Sequence, residues 1–191
     1  MDDFQITLPK YYPEIQAASE QIGFNMPSDL QTGSLLKTLV ASKPGASILE
    51  LGTGTGLALC WFAEGMDENS QLTTIDNSDA FLSIAHKYFG SDSRINIVSE
   101  DGSKWVESNK AQKFDLIFAD TWAGKYTELE EVLAMVKKGG FYIIDDMKEQ
   151  ANWPEGHAEK AKKLLAYLGS RQDFNITKMN WSTGIVIATK L

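Results

Sequence analysis

The sequence predicts an α/β fold: a doubly wound, mostly parallel sheet with one antiparallel strand and a helical appendage at the N-terminus. Three observations predict it. From residue 46 onward short apolar runs alternate with segments of helical period, the first run opens into three alternating glycines, and the last two β-prone runs lie too close together for a crossover helix. A length of 191 residues fits one domain, with the appendage over residues 1–45 and the sheet over residues 46–191.

Taken in order, the spacing predicts a helix over residues 10–22, a break at Asn25-Met26-Pro27, and a second helix over residues 28–42. Ser28 or Asp29 would cap that second helix, and Gly45 follows its end. The β-prone runs come next, at residues 47–51, 72–76, 95–98, 114–120 and 140–145, each bounded by Gly, Asp, Asn or Ser. Between them the helical spacing recurs at Phe81, Ile84, Ala85, Tyr88 and Phe89, at Leu129, Val132, Leu133 and Val136, and at Ala161, Leu164, Leu165 and Leu168. Strands alternating with helices imply βαβ units, because parallel neighbours need a crossover connection. Residues 174–178 and 182–190 form a terminal hairpin, which leaves one antiparallel strand. Ligands bind beyond the carboxyl ends of the strands in such a sheet, where the appendage would form part of a pocket lid.

Composition narrows the function classes. The chain has 26 acidic and 18 basic residues, a net charge of −8, so broad binding to nucleic acid through phosphate neutralisation is not expected. No apolar stretch approaches the roughly 18–20 residues that span a bilayer, and no membrane association is expected. Cys60 has no internal disulfide partner, and the N-terminal segment lacks the basic start and apolar run of a secretion signal. A cytoplasmic protein is expected.

The strongest local signal is Ile48-Leu49-Glu50-Leu51-Gly52-Thr53-Gly54-Thr55-Gly56-Leu57, a strand running into glycines and then a helix. Glycines let the backbone approach a ligand closely, and a helix N-terminus offers free N–H groups at the same spot. A nucleotide-like cofactor fits such a loop. The dinucleotide fingerprint fits poorly, since Leu57 stands where its third glycine belongs and the Glu50 carboxylate would oppose a pyrophosphate while suiting a cation.

This pattern resembles the class I S-adenosylmethionine-dependent methyltransferases, whose first motif, acidic-x-G-x-G-x-G, is matched by Glu50, Gly52, Gly54 and Gly56. The resemblance implies a seven-stranded Rossmann-like sheet, S-adenosylmethionine as cofactor, and a loop including Thr53 beneath its amino-acid part. It further implies that Asp76 and Asn77, at the end of the second strand, bind the ribose hydroxyls, and that Asp101-Gly102, after the third, lies near the adenine. A carboxylate suits paired hydroxyls because it accepts two hydrogen bonds. Homodimers occur among the resembling enzymes, though no sequence feature marks an interface.

Residues 114–126 and 139–147 are similar to the catechol and caffeoyl-CoA O-methyltransferase group, as is the upstream Thr32-Gly33-Ser34-Leu35-Leu36. That similarity implies Asp120, Asp145 and Asp146 as ligands of Mg²⁺ or another divalent cation, methyl transfer to a hydroxyl of a small-molecule acceptor, and Trp122 packed against the adenine. A phenol-like hydroxyl has a pKa of about 10, and an oxygen-ligated cation stabilises its anion at neutral pH. Two departures stand out. The group's base is a lysine three residues after the first metal aspartate, where this chain has Ala123; Lys125, two residues later, either replaces it through a rearranged loop or, as expected, faces solvent at the start of the next helix. Asp146 replaces a common amide, and three anions without a cation would retain a proton.

Alternatives stay open at this level. Asp145 and Asp146 also suit a metal-free pair orienting a hydroxyl or amine, and Trp122 also suits core packing. His157 is either an acceptor base or a solvated early-helix residue, whereas His86 is expected to be structural. Trp153, in the loop over residues 149–156, and Trp181 could wall an acceptor pocket; Met26 is expected to plug a gap, and Cys60 to be a buried inert thiol. A metal-independent N- or O-methyltransferase and a non-catalytic cofactor-binding protein remain the competing functions. A nicotinamide oxidoreductase is disfavoured by Leu57 and Glu50, and base methylation by the lack of an Asn-Pro-Pro-aromatic sequence after the fourth strand.

Overall fold

A computed structural model describes residues 2–3, 5–150 and 153–191. Met1 and Phe4 of the N-terminal segment, and Ala151 and Asn152 of the loop after the aspartate pair, lie outside the described residues. Two helices, α1 (Tyr12–Gln21) and α2 (Leu30–Ala41), precede an alternation of β1 (Ser47–Leu51), α3 (Leu57–Gly65), β2 (Gln71–Asp76), α4 (Asp79–Phe89), β3 (Ile95–Ser99), α5 (Gly102–Asn109), β4 (Phe114–Ala119), α6 (Leu129–Met135), β5 (Val136–Ile144) and α7 (His157–Ser170). The hairpin of β6 (Phe174–Met179) and β7 (Ile185–Lys190) closes the chain. The seven strands form one sheet in the order β3-β2-β1-β4-β5-β7-β6. Neighbours from β3 to β5 are parallel, and β7 runs antiparallel to both β5 and β6. The strand order reverses between β1 and β4, and the crevice for a ligand opens there.

Alternation along the central strands builds two core layers. Ile48 of β1 and Leu116 and Phe118 of β4 face a layer with Tyr12, Ile15, Leu36, Val40, Trp61 and Phe62. Leu49, Leu51 and Ile117 face the other, with Val132, Tyr142, Leu164 and Leu168. Strands buried on both faces read as continuous apolar runs, which is why their periodicity alone did not distinguish the faces. The N-terminal helices share the first layer with α3 and α4, so residues 1–45 contribute core as well as cleft wall.

Three local expectations change. Neither Ser28 nor Asp29 caps α2 through its side chain; the Ser28 hydroxyl goes to Asp120, and the Asp29 carboxylate accepts from the Ser182 hydroxyl. Val136 belongs to β5 and not to the preceding helix, pairing with Phe114 before the register shifts to Leu116 opposite Phe141. The last strand begins at Ile185, because residues 182–184 turn back to bond the segment after β5. Among the described residues no helix is long and apolar enough to cross a membrane.

Candidate functional site

A cleft of ≈ 630 Å³ lies at the carboxyl ends of β1, β2, β4 and β5, with the segment between α1 and α2 as its outer wall. The glycine loop forms its floor. Gly52 N–H and Thr53 N–H both donate to Ile75 O, at 2.9 and 3.2 Å, and Gly54 N–H donates to Asp76 Oδ2 at 2.8 Å. Gly52 has φ +101° and a Cβ there would sit 2.7 Å from Asp120 O; Gly54 has φ +52° and its Cβ would meet the Phe24 ring at 2.8 Å. No other residue type fits either position without strain. Asp76 also accepts from Ser78 N–H at 2.9 Å, and Asp76 and Asn77 both line the cleft, as do Leu57 and Ala58 at the start of α3.

Some residues of the glycine and strand-end motifs lie elsewhere. Glu50 is fully buried beneath the loop, where it accepts from Thr74 Oγ1 at 2.5 Å. Gly56 precedes α3 and faces Ala85 of α4, 3.2 Å from where its Cβ would be. Asp101 caps α5 by accepting from Lys104 N–H at 3.1 Å, Gly102 begins that helix, and neither lines the cleft.

The acidic cluster lies at the ends of β4 and β5, with Asp120 against Gly52. Asp120 follows β4, and Asp145 and Asp146 follow β5; one carboxylate oxygen from each lies within 4.8 Å of the others. Parallel pairing of β4 with β5 brings the two strand ends side by side. Asp120 Oδ2 accepts from Ser28 Oγ at 3.0 Å, and Asp146 Oδ1 from Gln150 Nε2 at 2.9 Å. Asp146 has φ +52°, a left-handed conformation, while Asp145 Oδ1 is buried with no hydrogen-bond partner. Desolvation pushes the Asp120 carboxyl up to about 6 against the pull of Lys125. Burial, and then the charge of Asp120, holds Asp145 well above the carboxylate range. A cation or a retained proton must relieve this cluster. Its all-oxygen donor set and the unpartnered Asp145 oxygen fit a hard divalent ion such as Mg²⁺.

Lys125 corrects an expectation. It is 5% exposed and lines the cleft, where its charge acts on both Asp120 and Asp145. It lies in a tight turn, not at a helix start: Lys125, Tyr126 and Thr127 N–H all donate to Trp122 O, and α6 begins only at Leu129. The buried Tyr142 hydroxyl donates to Gly124 O at 2.6 Å and ties the turn to β5.

His157 is half-buried. It opens α7 inside an aromatic group, with ring centroids 4.5 Å from Trp153, 5.3 Å from Tyr126 and 5.9 Å from Trp122. Its Nε2 lies 3.2 Å from the Tyr126 hydroxyl and its buried Nδ1 has no partner. Burial, then Lys125 and Lys160, lowers the imidazole pKa, while burial and Asp146 push the Tyr126 phenol up to about 12. The pair is therefore neutral at pH 7. Trp122 is 48% exposed, which removes the core-packing alternative, and Lys160 Nζ sits 4.4 Å from its ring centroid. Met26, 67% exposed, lines the cleft and plugs no gap. Trp153 lines the cleft, whereas Trp181 donates its indole N–H to Asp3 at 2.7 Å outside it. His86 is exposed on α4, and Cys60 is buried in α3 with its thiol pushed up by burial.

Phe24, Ser28, Tyr126, Gln150 and Thr183 also line the cleft, although no motif marked them as site residues. Ser28 carried a cap signal that served another end, and Thr183 Oγ1 accepts from Asp146 N–H at 3.4 Å across a contact 37 residues long in sequence.

Comparison with known proteins places this geometry in context. The O-methyltransferase family matches residues 10–182. A Mycobacterium leprae protein whose name places it among O-methyltransferases is 31% identical over 106 residues, 53% of this chain and 47% of that one. The chain spans about half the length of the curated relatives it matches. An O-methyltransferase from Bacillus cereus, solved with S-adenosylhomocysteine, superposes with a TM-score of 0.83 at 18% identity, covering 99% of this chain and 94% of that one. The O-methyltransferase TomG of Streptomyces achromogenes, solved with S-adenosylmethionine, gives 0.83 at 17% identity, covering 98% and 92%. At these identities the structural likeness establishes the fold.

Proposed function

The chain belongs to the O-methyltransferase family, and on that premise we propose that it transfers a methyl group from S-adenosylmethionine to a hydroxyl oxygen of a small molecule, assisted by a divalent cation. One observation carries the reading. A single cleft joins a glycine loop with a strand-end carboxylate, Asp76, to Asp120 and Asp146, which with the buried Asp145 bring three carboxylate oxygens within 4.8 Å of one another, and to a buried lysine. When bound, S-adenosylmethionine supplies an electrophilic methyl group and the cation supplies positive charge that lowers the pKa of an acceptor hydroxyl.

The chain's own residues do the rest. Residues 52–54 and the first N–H groups of α3 orient the amino-acid end of the cofactor. Asp76 accepts from the ribose hydroxyls with the lone pairs that Gly54 and Ser78 leave free, and Asn77 lies beside it. The adenine end falls to the exposed indole of Trp122, with Asp101 and Gly102 carried over beside it from the resemblance. Asp120, Asp145 and Asp146 would hold the cation, and Lys125, having first given up its own proton to solvent, would receive the acceptor's proton at Nζ. Alignment of acceptor and methyl for in-line displacement is the work of the cleft walls, Trp153 and His157 among them.

The cleft volume and the charge of −8 support a small acceptor over a nucleic acid. A cytoplasmic homodimer completes the reading, supported by the buried free thiol of Cys60 and by the resemblance. The decisive experiment is a calorimetric titration of Mg²⁺ and Mn²⁺ into protein saturated with S-adenosylhomocysteine, with Asp145→Ala as control, followed by methyl transfer to catechols and other vicinal diols. Specific metal binding lost in the variant is expected. Tight binding of the homocysteine product without metal binding would leave methyl transfer in place and assign the counter-charge to Lys125.

A further inference from the structure

Glu50 lies beneath the glycine loop and takes no part in the chemistry above. Its carboxyl is fully buried, Oε2 accepts from Thr74 Oγ1 at 2.5 Å, and Oε1 has no partner. Thr74 Oγ1 lies 2.5 Å from Thr53 Oγ1, and Thr53 lines the cleft. A continuous hydrogen-bonded chain therefore leads from a buried carboxyl to the ligand surface. The groups that face Glu50 are Asp76 from β2 and the Cys60 thiol from α3, while β4 presents Phe118 at the paired position. None of these is a cation, so an ionised Glu50 would stand without a counter-charge in a low-dielectric layer.

We propose that Glu50 is a neutral acid in the ligand-free protein and gives its proton up to solvent when a positively charged ligand settles on residues 52–54. The O–H bond of the carboxyl breaks, its electron pair stays on the carboxylate, and the proton ends on solvent, while Thr74 Oγ1 donates to the anion at Oε2. The exchange makes Glu50 a selector of ligand class. An ammonium or sulfonium ligand acquires a carboxylate beneath it, whereas a pyrophosphate-bearing ligand meets at best an uncharged acid. The inference rests on the cofactor reading above and names what that loop selects for. Burial pushes the carboxyl up to about 8, against the pull of the Thr74 hydroxyl and with the repulsion of Asp76.

Two measurements test it. In the ligand-free protein at neutral pH, infrared difference spectra are expected to show the carbonyl band of a protonated carboxyl that is absent from Glu50→Gln. Calorimetry of S-adenosylmethionine binding in buffers of different ionisation enthalpy is then expected to show net proton release at neutral pH, and none in Glu50→Gln. Thr74→Val, which keeps the acid but removes the donor that favours its anion, is expected to shift the release to higher pH and serves if Glu50→Gln does not fold. Binding without proton release, or equal release from Glu50→Gln, overturns the proposal and leaves the cofactor reading intact. No binding of S-adenosylmethionine by the folded wild-type protein overturns both.

Discussion

Replacing Asp145 with asparagine is expected to stabilise the metal-free protein and to abolish its further stabilisation by Mg²⁺. The carboxylate oxygens of Asp120, Asp145 and Asp146 lie within 4.8 Å of one another. Two full charges at that distance, with an effective dielectric constant of about 20, repel by about 3.5 kcal/mol. Burial and Asp120 raise the native pKa of Asp145 well above the carboxylate range, whereas in the unfolded chain the group titrates near pH 4. Between those values the native state holds a proton that the unfolded state has released. The contribution to stability is thus complete below about pH 4 and is lost as pH rises through the native value. An amide is isosteric with the protonated acid and has no proton to lose. The variant should match wild type near pH 4 and exceed it by about 2–3 kcal/mol near pH 8, bounded by the pair repulsion. Urea unfolding at several pH values in the presence of a chelator measures this. Repeating it with Mg²⁺ at about a hundred times its Kd should add about 2.7 kcal/mol to wild type and nothing to the variant. A stability loss that is uniform across pH, or a Mg²⁺ gain in the variant equal to that of wild type, would refute the reasoning.

Gly54→Ala should lower affinity for S-adenosylhomocysteine at least tenfold and cost about 1–2 kcal/mol of stability, because φ is +52° and the added methyl would meet Phe24 at 2.8 Å; calorimetry and denaturant unfolding check the two effects separately. Lys125→Met should reduce kcat about 10²–10⁴-fold on a catechol acceptor with little change in S-adenosylmethionine KM, and unchanged kcat would remove Lys125 as the proton acceptor. Tyr142→Phe leaves Gly124 O without its 2.6 Å donor. It should cost about 1–2 kcal/mol in unfolding measurements and lower kcat by displacing the turn that carries Lys125.

The conformation of the glycine loop was legible because it is local. A strand, three alternating glycines and a helix start fall within ten residues, and the steric demand at Gly52 and Gly54 is met by no other residue type. The seven-stranded, mostly parallel sheet was legible for a similar reason: apolar runs and helical periods alternate through the chain, and a short 174–190 segment admits a hairpin only. The acidic strand ends Asp120, Asp145 and Asp146 followed, since parallel pairing of β4 and β5 sets their ends side by side.

What the sequence could not determine was the direction of side chains held by distant partners. Lys125 turns inward because Tyr142 of β5 donates to Gly124 O and the neighbouring N–H groups converge on Trp122 O, a fold-back with no periodicity to announce it. His157 joins Trp122, Tyr126 and Trp153 because α7 begins where the β4 turn passes, although 31 residues separate the Tyr126 hydroxyl from the His157 ring. Ser28 and Asp29 carry the sequence signal of helix caps, yet Asp120 and Ser182 hold their side chains instead. Local pattern fixes which backbone states a segment can adopt, so it determined the elements and the loop. The part of the cleft around Lys125 and His157 is built from contacts between segments far apart in the chain, whose energies exist only once the sheet has brought them together.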